Sequence, residues 1–157
     1  MHMLALVILP EGGEDDPVKW VEALMEPGRE RDGEADDEFY GWWDWYRIGG
    51  RWDGTVQGVD RYKDCPGCKA GHDCHYSNEH AQVVHNLVKV RDLSELSFYR
   101  VVRPDGSTLA EKDYSRDDQD HLPFEDRDYT VHEFPEFAGR ALVQYRDHYA
   151  VGVDYHS

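Results

Sequence analysis

The sequence predicts an α+β fold: a mostly antiparallel sheet with helices on one face and a zinc-binding loop inserted at about residues 60–85. Three observations carry this reading. A continuous apolar run opens the chain, two amphipathic helical stripes lie between extended segments, and a turn-centred hairpin signal falls at residues 98–110. The chain has 157 residues with 33 Asp+Glu against 17 Lys+Arg, a formal charge of -16, yet 13% of it is aromatic. That aromatic content supplies a core and argues against disorder. No internal repeat or linker divides residues 1–157, which read as a single domain.

Residues 3–9 are apolar without interruption and are closed by Pro10 and Gly12-Gly13, the pattern of a central strand buried on both faces. Asp16 follows as an N-cap with Pro17 at the first helical position. Val18, Val21 and Met25 then recur at helical spacing until Pro27-Gly28 stops the helix. Residues 28–38 are almost all charged or glycine and read as a mobile loop. Residues 39–48 read as a strand, broken by Gly49-Gly50, and within it Trp43, Trp45 and Arg47 share one face while Trp42, Asp44, Tyr46 and Ile48 share the other. Residues 82–90 satisfy both periods, because Val83, Val84, Leu87 and Val88 fit a helix or a strand.

Further along, residues 98–102 and 108–110 flank Pro104-Asp105-Gly106-Ser107, whose residue types favour a turn and predict a hairpin. Residues 113–128 are acidic enough to be a surface excursion. A helix starting at Pro135 presents Phe137, Ala138, Ala141, Leu142 and Tyr145 as one apolar stripe. Residues 149–154 form a last strand expected beside the first.

Several function classes fall away on composition. The opening apolar run is too short to span a bilayer and is followed by Glu14, Asp15 and Asp16, so no membrane anchor or signal peptide is expected and the protein reads as cytoplasmic. Acids outnumber bases in residues 11–44 and 105–136, whereas residues 47–103 hold a slight excess of bases. That distribution argues against direct nucleic-acid binding, which wants clustered Lys and Arg; Arg61, Lys63 and Lys69 are almost cancelled by Asp60, Asp64 and Asp73. An acidic surface suits a basic host protein as partner, or serves only to keep the protein in solution.

Cys65-Pro66-Gly67-Cys68 is a knuckle in which Pro and Gly shape a turn that aims two thiolates at one ion. Three cysteines within ten residues suit a metal in a reducing compartment better than a disulfide framework. The preferred zinc ligands are Cys65, Cys68, Cys74 and His80, with His72, His75 and His85 as other sources of the fourth ligand. A competing set is Cys65, Cys68, His80 and His85, but the stretch between its ligand pairs lacks the apolar residues of a finger core. The role expected for the metal is structural; a cysteine-bearing loop without metal is the plainer alternative.

The second candidate site is Trp45, Arg47, Gly49, Gly50, Arg51 and Trp52. A tryptophan beside a guanidinium suits stacking on a base and a charge-assisted contact to phosphate. Gly49-Gly50 would let backbone N–H groups approach a ligand, with Arg51 at the mouth. The plainer reading is that these tryptophans fill the core and the arginines pair with acids.

Residues 43–54, W-D-W-Y-R-I-G-G-R-W-D-G, resemble the W-D-W-Y-x-I-G-G-R-W-x-G signature of small proteins encoded by actinobacteria and their phages. The opening strand, residues 86–93, the Pro104-Asp105-Gly106 turn and residues 151–156 are similar as well, and together these blocks cover about half the chain. The resemblance implies a phage or mobile-element setting and brings no activity with it. One departure stands at the end, where the family reads V-V-D-C-H and this chain has Tyr155 in place of the cysteine. Asp154 and His156 remain; as alternate residues of a strand they share a face and suit an acid–base pair, a metal-ligand pair or a hydrogen-bonded clasp, the clasp being the preferred reading.

The expected function is therefore a small acidic, zinc-stabilised intracellular binding protein that sequesters an anionic, nucleotide-like ligand or inhibits a host protein. The alternative is a hydrolase or transferase acting on a phosphorylated substrate, in which Arg47 and Arg51 clamp the anion and His156, positioned by Asp154, handles the proton. Neither a G-x-S-x-G nor a phosphate-loop motif is present.

Overall fold

The computed structural model describes residues 1–30, 41–72, 83–94, 97–110 and 134–156. Its strands are β1 (His2–Ile8), β2 (Trp45–Ile48), β3 (Leu87–Lys89), β4 (Arg100–Val102), β5 (Thr108–Ala110) and β6 (Tyr149–His156); its helices are α1 (Pro17–Met25), three single turns α2 (Arg61–Asp64), α3 (Pro66–Lys69) and α4 (Val83–Asn86), and α5 (Phe134–Gln144). The strands form one sheet in the order β2-β6-β1-β4-β5, with β3 beside β2 on the same edge of β6. Only β1 and β4 run parallel; every other pair is antiparallel. The fold is thus α+β with a mostly antiparallel sheet, and the first and last strands pair along their length, from His2 opposite His156 to Ile8 opposite Ala150.

The apolar run at the start explains this centre. Leu4, Leu6 and Ile8 point into a core with Val56, Val101, Leu109, Ala138 and Ala141, while Ala5, Val7 and Leu9 point into a second core with Val21, Leu24, Met25, Val151 and Val153. A strand apolar at every position must be covered on both sides. Accordingly α1 covers one face and α5 the other, which corrects the expectation of helices on one face only.

Local signals place the flanking elements. Asp16 caps α1 by accepting from the Lys19 amide, with Pro17 at the first position. The buried side of α1 is Val21, Leu24 and Met25; Val18 is 52% exposed and lies off the apolar stripe expected of it. The predicted hairpin is β4–β5, closed by Arg103 N–H to Ser107 O at 2.8 Å. The ambiguous stretch uses both periods in turn, one helical turn in α4 and then β3, with the Gln57 amide donating to Val84 O and Leu87 O across the junction.

β2 is shorter than expected. Phe39 and Tyr40 lie outside the described residues, as do most of the expected loop at 28–38 and the excursion at 113–128. Trp42 and Trp43 are described and leave the ladder: both amides donate to Gly28 O, and the Trp43 indole donates to Met25 O at 2.7 Å. Those bonds draw the chain onto the exit of α1, so Trp43 is buried with Tyr46 in the second core instead of sharing a face with Trp45 and Arg47. A side chain at Gly28 would collide with the Trp42 indole.

None of the helices among the described residues is long and apolar enough to cross a membrane. The two-sided burial of β1 gives a first prediction. Leu6→Ala on the α5 side and Val7→Ala on the α1 side should each cost about 2–4 kcal/mol in urea unfolding, whereas Val18→Ala should stay within about 0.5 kcal/mol. A large loss at Val18 would mean that α1 packs on the stripe the spacing suggested.

Candidate functional site

At one end of the sheet the registers place two rows of side chains across β1, β6 and β2. His2, His156 and Trp45 form the outer row; Leu4, Asp154 and Arg47 form the row behind it. Facing pairs in antiparallel strands share a face, so these groups meet because of register. The His2 and His156 rings are 5.4 Å apart edge to face, and His2 meets Trp45 the same way at 5.6 Å.

Asp154 is fully buried, and two neighbouring elements hold it. Its Oδ1 lies 3.0 Å from His2 Nδ1, and its Oδ2 accepts the Arg51 backbone N–H at 3.0 Å. The turn Gly50–Trp52 therefore closes over β6 through a carboxylate of the chain itself. Gly50 is required twice: its φ of +54° lies in the left-handed region, and a Cβ there would fall on the Asp154 side chain. The clasp reading of Asp154 thus has its partners, but they are His2 and Arg51. His156 pairs instead with Asp44, Nδ1 to Oδ1 at 3.0 Å, and Asp44 N–H also donates to His156 O.

A second buried polar lock sits on the other side of the same turn. The Asn86 side chain, fully buried, accepts from Gly54 N–H at 3.0 Å and donates to Asp53 Oδ1 at 2.8 Å. Asp53 is itself buried, with His85 Nδ1 4.0 Å from its Oδ1. The segment with the tryptophan–glycine signature, the block starting at Asn86, and the first and last strands are therefore spatial neighbours.

Four backbone donors of this segment are committed within the chain. Gly49 N–H bonds Gly152 O, Arg51 N–H bonds Asp154, Trp52 N–H bonds Gly49 O and Gly54 N–H bonds Asn86. Trp52 packs against the core on the α5 side, away from Trp45. Trp45 and Arg47, both half-buried, lie beside each other, with the guanidinium 5.4 Å from the indole centre. Arg47 Nη1 is buried and meets no acceptor among the described residues. Arg51 is exposed.

Two pKa shifts follow from burial. Burial raises the Asp154 carboxyl above its ordinary value, opposed by the Arg51 and His2 hydrogen bonds and by their positive charge. Tyr46, on the α1 face, is raised by burial and by Glu22 and Glu26, which keeps its phenol protonated.

Of the expected zinc ligands, Cys65 and Cys68 are described; Cys74 and His80 lie outside the described residues, as does His75. Cys65 is the residue preceding α3, Pro66 opens it and Cys68 lies one turn on; neither cysteine is in a disulfide and both are partly exposed. Among the described residues no three His, Cys, Asp or Glu side chains gather as a metal site, so neither His72 nor His85 joins the two cysteines there.

Sequence reasoning singled out Trp45, Arg47, Gly49, Gly50, Arg51 and Trp52; the structure brings Trp45 and Arg47 together and packs Trp52 against the core on the α5 side. It missed His2 and Asp44 as partners and gave Asn86 no role, because their contacts span 32 to 152 residues and depend on strand register. No family model matches the chain, and neither a curated protein nor a solved structure matches it.

The sign of the Asp154 effect is testable. A carboxyl whose folded value is raised binds its proton more tightly folded than unfolded. Its contribution to stability is full below the unfolded value near 4, declines as pH rises through the folded value, and is flat above it. Asp154→Asn should remove that decline, seen as a wild-type-minus-variant difference in urea midpoints that changes with pH. Asp154→Ala should cost about 1–3 kcal/mol at every pH by stranding the Arg51 amide. A pH-independent difference for the Asn variant would show that the carboxyl is unperturbed.

Proposed function

We propose that this is a small acidic binding protein of phage or mobile-element type that sequesters an anionic, nucleotide-like ligand against Trp45 and Arg47. The observation that carries the reading is Arg47: its guanidinium lies beside an indole face, and one of its N–H-bearing nitrogens is buried without an acceptor among the described residues. A buried donor left unmade is costly, and a phosphate oxygen is the acceptor a guanidinium fits best. Trp45 offers a flat surface for a base. Arg51 stands at the rim, and the ligand is gripped mainly by side chains, since the Gly49, Arg51 and Trp52 amides are already used.

In this reading the protein acts in the host cytoplasm, and zinc on Cys65, Cys68, Cys74 and His80 orders the loop that follows α2. The C-x2-C spacing of Cys65 and Cys68 supports that part. Inhibition of a basic host protein through the acidic surface is the other mode of the same class. A hydrolase or transferase acting on a phosphorylated substrate is the second reading, favoured by the His156 imidazole held on Asp44 next to Arg47 and Trp45; its carboxylate partner is then Asp44, not Asp154.

Native mass spectrometry of the purified protein tests these readings together. We expect one zinc per chain, lost in Cys65→Ser and Cys68→Ser, and a co-purifying anionic small molecule lost in Arg47→Gln. That substitution should weaken binding about 10- to 100-fold. Retention of zinc with no small molecule in any preparation would move the function to the acidic surface, and turnover of a bound phosphate ester would establish the enzyme.

A further inference from the structure

We infer that Cys65 and Cys68 form a reversible dithiol–disulfide couple, closed by exchange with a small-molecule disulfide of the glutathione type and reopened by the matching thiol. The couple is independent of the anion site. The two cysteines stand at the N-cap and the third helical position of α3. Cys65 has φ of -73° and ψ of 118°, and its carbonyl accepts the Lys69 amide at 3.1 Å. The Cα of an N-cap still lies on the helical spiral, so the residue three places on is about 5 Å away, inside the range that a disulfide spans. An N-cap side chain also reaches back over the third helical residue, which is how serine or aspartate there meets the amide of that residue. Cysteine at both positions thus suits the approach of two sulfurs.

The surroundings permit the chemistry. Neither cysteine is in a disulfide and both are partly exposed, so a soluble oxidant reaches them. The turn is already formed by its own bonds, Gly71 N–H to Cys68 O at 3.0 Å and His72 N–H to Gly67 O at 2.8 Å. One thiolate of the pair attacks a sulfur of oxidised glutathione, whose S–S bond breaks and releases a glutathione thiolate. The thiolate of the other cysteine then attacks the mixed disulfide and displaces the second glutathione. Two electrons and the two thiol protons end on glutathione, so the protein dithiol and one oxidised glutathione give the protein disulfide and two reduced glutathiones. A disulfide has no thiolate to offer a metal, so the closed couple and zinc on the same two residues exclude each other.

The test equilibrates the full chain, in chelator, with mixtures of oxidised and reduced glutathione, then quenches with acid, alkylates the remaining thiols and digests with trypsin. Cleavage after Lys63, Lys69 and Lys89 separates residues 64–69, which hold Cys65 and Cys68, from residues 70–89, which hold Cys74. In oxidising mixtures the 64–69 peptide should be unalkylated and lighter by two hydrogens in most chains, and reduced glutathione should return it to the doubly alkylated form. Cys68→Ser should instead accumulate a glutathione adduct on Cys65. In urea, where the turn is lost, the disulfide should be disfavoured by about tenfold at the same glutathione ratio. Two alkylated cysteines in every mixture, lasting glutathione adducts on the wild type, a 64–69 peptide linked to 70–89, or an equal yield in urea overturns the couple. One equivalent of zinc should slow closure. An unchanged rate rejects zinc on Cys65 and Cys68 and leaves the couple standing.

Discussion

The carboxylate of Asp154 is the constraint on which this end of the molecule depends. It is buried, it carries charge at a cost, and it is tolerated because an imidazole from the first strand and a backbone amide from the Gly50–Trp52 turn both point at it. Through that one side chain, β1, β6 and the segment after β2 are held in a single register. Gly50 is the residue that allows the approach, and the exposed Arg51 side chain follows from where its amide must sit.

Asn86 does the same on the far side of the turn. Its amide bridges Asp53 and Gly54 and so attaches the helical turn α4 to the loop that leaves β2. A buried asparagine and two buried aspartates are unusual guests of a core, and each is matched with donors or acceptors drawn from distant parts of the chain. Such networks favour one arrangement over its near neighbours, because a slip of one residue would strand several polar groups at once.

Beside these locks, β2 holds Trp45 and Arg47 next to each other, half-buried. Gly49 N–H is taken by Gly152 O and Arg51 N–H by Asp154, so the groups that β2 itself offers to an anion are side chains, an indole and a guanidinium. For a chain with 33 acids against 17 bases, the proposed binding of an anion rests on these few groups being placed together.

The sequence by itself determined the elements whose causes are local. The apolar run of β1, the cap and proline of α1, the turn residues of the β4–β5 hairpin and the stripe of α5 each depend on neighbours within a few residues, and each formed where those residues stand. It also marked Trp45, Arg47 and Gly50 through their chemistry. Only the tertiary structure decided that α1 and α5 lie on opposite faces, that Trp43 leaves the strand to bond Met25, and that Asp154 pairs with His2 while His156 pairs with Asp44. The reason is the same in each case: these outcomes turn on strand order and register between segments up to 152 residues apart, and the period of a single strand says which residues share a face but not what stands opposite them.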